Sequence, residues 1–166
     1  MSVNMTTEVA GINEAIRSLN KIEPGLRKEF NNEARVIAQP ATNAVKNAYQ
    51  FVPLSGMERK WAGPAVKGRK VFPFTVAKAK RGVDVTFNTD RRSLGVINIV
   101  QRDAGTAIFE TAGRKNPNPL GDSLGPIQPG RTRLIGPVVY SKRREIEDGI
   151  RQLALKIVNR VNKDFR

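Results

Sequence analysis

The chain has 166 residues, with 29 Lys and Arg against 15 Asp and Glu, and a formal net charge of +14. It has no cysteine and no histidine, so disulfides, thiol nucleophiles, Cys-ligated metal sites and the commonest general base are all excluded. An apolar fraction of 39 % over this length fits a single globular domain spanning residues 1–166 that needs no covalent staple.

Residues 1–7 carry no Lys or Arg and no apolar core; they read as a flexible N-terminus and not as a secretory signal. A first helix is expected from Glu8 to Asn20, where Val9, Ile12, Ile16 and Leu19 fall on one face and Thr7 caps the start. A longer helix begins at Pro24, which suits a first helical position. Its stripe is Leu26, Phe30, Ala34, Ile37, Ala41, Val45 and Ala48, and it ends before Pro53. Pro40 interrupts the hydrogen-bond ladder, so a kink is expected at Val36–Pro40, with the stripe in phase on both sides.

Val71, Phe72, Phe74 and Val76 favour a strand, Lys80-Arg81-Gly82 a turn, and Val83–Phe87 a strand of alternating polarity; together they read as an antiparallel hairpin. Leu94–Gln101 is a third strand, and Ala104–Thr111 is ambiguous between strand and helical turn. Eight of the 18 residues from Gly113 to Gly130 are Gly or Pro. Residues 113–133 are therefore expected to be an extended loop or arm that orders against a partner. Leu134–Tyr140 forms a last strand or leads into a helix capped by Ser141. Ile146, Ile150, Leu153, Ile157, Val161 and Phe165 then stripe a C-terminal helix. The fold class is α+β: a three- or four-stranded antiparallel sheet covered on one side by the long N-terminal and C-terminal helices, with a projecting Gly/Pro-rich loop.

Half of the net charge lies in residues 58–81, which hold eight basic and one acidic group. Candidate partner- or polyanion-binding residues are Arg59, Lys60, Lys67, Arg69, Lys70, Lys78, Lys80 and Arg81, joined by Arg114, Lys115, Arg131 and Arg133. A solvated face that only aids solubility is the alternative. No helix-turn-helix, zinc-finger or ribonucleoprotein signature accompanies the charge. Glu145, Glu147 and Asp148 sit beside Lys142, Arg143 and Arg144 and read as surface ion pairs. Asp84 and Asp90 lack the Glu-x-Lys that a metal-dependent nuclease would place near them, and no phosphate-binding Gly-rich loop occurs. No catalytic, metal or cofactor constellation emerges, so the chain is expected not to be an enzyme and to need no cofactor. No apolar run approaches the roughly 20 residues of a membrane span.

Three segments resemble the tail-completion (neck, head-to-tail connector) family of long-tailed bacteriophages. They are the Ala-rich helix running into Pro53-Leu54-Ser55-Gly56-Met57, the stretch Ala107-Ile108-Phe109-Glu110-Thr111-Ala112-Gly113-Arg114, and the apolar Leu134–Val139 segment before the C-terminal helix. The second is similar to the family's Ala-x-x-Glu-x-Gly stretch, with one residue more before Gly113. The resemblance covers residues 24–166. It implies a structural virion protein at the head–tail junction, present in the host cytoplasm during assembly. It also implies a homo-oligomeric ring, typically sixfold, touching other neck proteins, a tail terminator or the tail tube, with non-specific contact to passing DNA and no membrane. Tail-terminator ring subunits share the size and build, and a free basic nucleic-acid-binding protein is the other alternative.

Overall fold

The structure, a computed structural model, describes residues 3–8, 24–52, 74–87, 95–116, 121–122, 124–127 and 132–164. Strands are β1 (Val3–Glu8), β2 (Val83–Phe87) and β3 (Gly95–Gln101). Helices are α1 (Pro24–Ala48), α2 (Val76–Gly82), α3 (Ala104–Thr111), α4 (Ile135–Ser141) and α5 (Arg143–Asp164). The class is α+β. Among the described residues, no helix is long and apolar enough to cross a membrane.

The segment expected to be a flexible N-terminus instead contains β1, which runs antiparallel to β3 from Val3↔Gln101 to Glu8↔Gly95. A backbone that gives its polar groups to a neighbouring strand is tied down whatever its side chains. The helix expected over Glu8–Asn20 lies outside the described residues, apart from Glu8 itself, the last residue of β1. On its other edge β3 pairs antiparallel with β2, from Val83↔Gln101 to Phe87↔Ile97, giving the order β1-β3-β2. Ile97, Asn98, Ile99 and Val100 are all buried. Both faces of β3 are therefore covered, which is why its sequence lacks the clean alternation of β2.

The expected hairpin is corrected at α2. Val76 and the Lys80-Arg81-Gly82 turn belong to a helix, and the partner of β2 is β3. Ala77, Ala79 and the lysines are good helix formers, and the Thr75 hydroxyl caps the start by accepting from Lys78 N at 3.2 Å. Residues 71–73 lie outside the described part. The ambiguous Ala104–Thr111 is a helix, capped by Asp103, whose Oδ2 accepts from the Thr106 amide and hydroxyl at 2.9 and 2.7 Å. Leu134–Tyr140, expected to be a last strand or a lead into the C-terminal helix, is itself a helix: Leu134 is the N-cap of α4 and the remaining residues lie within it. Ser141 does not cap α5: it ends α4, and its hydroxyl donates to Val138 O.

Helix α1 continues through Pro40 as one element, its stripe buried at Leu26, Phe30, Ala34, Ala38, Ala41, Val45 and on to Tyr49 in a closing 3-10 turn, Tyr49–Phe51. Proline withholds the donor that the Val36 carbonyl would receive. Val36 is 69 % exposed, so the interruption falls on the solvent side of the helix.

Helix α5 packs antiparallel against α1. Lys156 meets Glu33 at 3.0 Å and Arg160 meets Glu29 at 2.8 Å, exposed pairs that set register more than stability. The apolar contact beneath them does more: Ile146, Ile150, Leu153 and Ile157 join the α1 stripe in one core with Phe74, Val83, Val85, Ile97, Ile99, Phe109, Ile135 and Val139. The helices touch closely at Gly149, where an added Cβ would lie 2.7 Å from Ile37 Cγ2, the near branch of a stiff side chain. We therefore expect Gly149→Ala to destabilise the protein by about 1–2 kcal/mol in urea unfolding, overpacking exceeding the gain in helix propensity. Equal or greater stability would show that the helices can separate freely at this point.

Candidate functional site

The fold gathers its buried polar groups at one junction, where the end of α1, the C-terminus of α3 and the start of α4 meet. Spacing along α3 puts Thr106, Ala107 and Glu110 on its buried side. Glu110 is fully buried. The Tyr49 hydroxyl donates to its Oε1 at 2.7 Å. The backbone amides of Arg133 and Leu134 each donate to Oε2 at 2.9 Å, and the Ile135 amide is shared between both oxygens at 3.3 and 3.4 Å.

This arrangement supplies α4 with a cap from another helix. Leu134, at the N-cap position, has no capping side chain. The first donors of any helix have no partner within it. Here the Ile135 amide goes to Glu110, the Gly136 amide to the Thr132 hydroxyl at 2.6 Å, and residue 137 is a proline with nothing to donate. The Val138 amide then makes the first intrahelical bond, to Leu134 O. The buried start of α4 is thus fully accounted for, with negative charge at the positive end of its dipole.

Burial pushes the Glu110 carboxyl above its ordinary range, and the hydrogen bonds from Leu134, Tyr49, Ile135 and Arg133 pull partly back. The Tyr49 phenol is pushed up by burial and then by the Glu110 charge. Gln101, buried at the end of β3, adds the neighbouring tie: its amide donates to Ala79 O at 3.0 Å and its Oε1 accepts from Asp103 N at 2.8 Å.

Arg133 faces the other way. Its Nη1 donates to Phe109 O at 2.7 Å, its Nη2 to Ala112 O and Gly121 O at 2.7 and 2.8 Å, and its Nε to Gly125 O at 2.9 Å. Two of those carbonyls belong to the C-terminus of α3, where a cation is favoured. Burial lowers the guanidinium pKa while Glu110 opposes that shift. Beside it lies an open groove of about 380 Å³ between Ala48, Phe51, Val52, Phe109, Leu134 and the loop residues Leu124 and Pro126.

Lys78, Lys80 and Arg81 lie on α2, and Arg114 and Lys115 follow α3. Arg59, Lys60, Lys67, Arg69, Lys70 and Arg131 lie outside the described residues. Arg133 gives four of its five guanidinium N–H donors to internal carbonyls. Within the expected arm, residues 113–133, the carbonyls of Gly121 and Gly125 accept from the Arg133 guanidinium, and residues 117–120, 123 and 128–131 lie outside the described residues. Sequence reasoning placed Glu110 only within a motif and passed over Tyr49, Thr132 and Gln101. The available signal was a lone acid at helical spacing from Ala107, inside an apolar stretch.

Among the described residues no buried side-chain nitrogen or oxygen lacks a partner, and no cluster of three acidic or otherwise ligating residues could hold a metal. The junction joins α1, α3 and α4 through Glu110. No family model, curated protein or solved structure matches the chain.

Glu110→Ala is expected to cost about 3–5 kcal/mol, since it strands several buried donors and leaves a cavity; Tyr49→Phe, which removes one hydroxyl, is expected to cost about 0.5–1.5 kcal/mol. Urea unfolding of the two variants checks the order. The pH dependence follows from the raised carboxyl. A group that holds its proton more tightly when folded stabilises the fold most below its unfolded value and loses that contribution as pH rises through the folded one. The stability of the native chain minus that of Glu110→Gln is thus expected to be greatest below the ordinary carboxylate value of 4.5 and to shrink as pH rises. A difference that grows with pH would contradict this account.

Proposed function

We propose that the chain is a non-enzymatic structural subunit of the head–tail junction of a long-tailed bacteriophage, a tail-completion or neck-ring protein. It would assemble as a homo-oligomeric ring, typically of six copies, between the head connector and the tail tube. The observation that carries this reading is the place of Glu110. The stretch resembling the family's Ala-x-x-Glu-x-Gly segment has its Glu at the junction that ties α1, α3 and α4 together. A residue with that task is one the architecture depends on, so the likeness falls on the structural hub and not on incidental surface. The order of elements supports the same reading: a long Ala-rich helix with an interior proline, a small antiparallel sheet, the Glu110 segment and an amphipathic C-terminal helix. In this reading the helices cover one side of the sheet, and the segment 113–133 is a projecting arm that orders against a neighbouring copy or another partner. A tail-terminator ring subunit is the nearest variant.

A closed ring built from heterologous contacts needs two different, mutually complementary patches on each copy. Native mass spectrometry of the purified chain is expected to show a closed oligomer, and mass spectrometry of virions to find it in the particle. A monomer at every concentration, or a chain absent from virions, would remove the proposal. The charge of +14 and the exposed Lys78 and Arg81 favour a second reading, a basic nucleic-acid-binding protein. In that case affinity for duplex DNA is expected to fall by on the order of 10³-fold between roughly 50 and 200 mM salt, and affinity indifferent to salt would exclude it.

A further inference from the structure

We infer that the outward face of α5 is a contact surface for a second copy of this chain, the two helices lying antiparallel with Asp148 of each copy opposite Arg151 of the other. Helix α5 turns Ile146, Ile150, Leu153 and Ile157 into the core. Arg144, Asp148, Arg151, Leu155, Val158 and Asn162 fall on the opposite side, and all six are exposed. They recur at steps of four, three, four, three and four residues, the repeat by which one helix presents a continuous seam to another.

Two features mark this face. Leu155 is 58 % and Val158 38 % exposed, two apolar side chains one turn apart on a helix whose other face already fills the core. The ion pairs of α5 lie to either side of the seam. Lys156 and Arg160 reach Glu33 and Glu29 on α1 along one flank, and Arg143 pairs with Glu147 along the other.

The charges choose the occupant. Turning α5 end for end about the midpoint between residues 149 and 150 carries 148 onto 151 and, in the same movement, 144 onto 155. An antiparallel copy therefore sets an acid against a base twice over, and lays the methylene stem of each Arg144 along a Leu155. Parallel pairing would instead put Asp148 beside Asp148 and Arg151 beside Arg151. Such a self-match is what a two-fold contact requires, one patch serving both copies. The patch is narrow, so the pairing is weak and depends on concentration. The inference stands apart from the ring reading: the contact joins two single chains or, where rings form, two rings.

Sedimentation equilibrium of the full chain tests it, at up to about 0.5 mM protein and roughly 150 mM salt, where repulsion between two chains of charge +14 is screened beyond about 8 Å. The native mass is expected to approach twice that of Asp148→Arg and of Arg151→Asp, each of which sets like charges face to face and weakens association by at least about tenfold. The reciprocal double variant, Asp148→Arg with Arg151→Asp, is expected to recover pairing to within about threefold of native. Leu155→Arg, which removes the apolar contact and faces Arg144, is expected to separate the copies as well. All three positions are exposed, so circular dichroism is expected to show unchanged helix content. The smaller species is a monomer where the chain forms no ring and one ring where it does, so the halving is read independently of the ring. A native mass equal to that of the single variants, or a double variant that pairs no better than either, overturns the proposal. Should a charge reversal unfold the chain, Asp148→Asn decides: pairing weakened by at least about threefold supports the contact, and unchanged pairing overturns it.

Discussion

The buried carboxylate of Glu110 must be met by donors, and the chain meets it with backbone. A fully buried anion is costly unless hydrogen-bonded. Its two oxygens collect the Tyr49 hydroxyl and the amides of Arg133, Leu134 and Ile135. Those amides are themselves without intrahelical partners, so one interaction settles two deficits. The geometry that follows is specific: the last turn of α1, the end of α3 and the start of α4 must converge within hydrogen-bond reach. The apolar core would tolerate small slips between helices, whereas this junction would not.

Charge elsewhere is distributed by a different logic. Along α1 and α5, cations face acids at Glu29 and Glu33, and Arg35 and Arg102 share Asp84. Arg35 also lies 5.2 Å over the Phe87 ring, a contact that orients the arginine across β2. Arg133, although basic in the sequence, belongs to the interior account.

Legibility in the sequence follows from how far each signal reaches. The stripes of α1 and α5 were readable because a helix repeats its buried face every three or four residues, and the buried set from Leu26 to Val45 and from Ile146 to Ile157 follows that repeat. Strand β2 was readable from its alternation. β1 was not: its partner lies in β3, about as far away in the chain as residue 3 is from residue 101, and no local pattern announces such pairing. α2 was misread because Val71, Phe72 and Phe74 suggested a strand that its Thr75 cap and alanines oppose. The loop after α3 shows only its Gly and Pro content in the sequence. Composition reports what a loop cannot build, but not that a single arginine from further along the chain will bind its carbonyls. Glu110 was visible as a letter in a motif; its task depends on Tyr49, 61 positions earlier.

The central place of β3 has a consequence for how the chain acquires its shape. On emerging from a ribosome, β1 has nothing to pair with until residues 95–101 have followed it. The sheet must therefore close late, after α1 has formed and waited, through contacts of large sequence separation that slow folding. An unpaired strand in the nascent chain is a template for the wrong neighbour, so a crowded cell would tax this protein most before β3 appears.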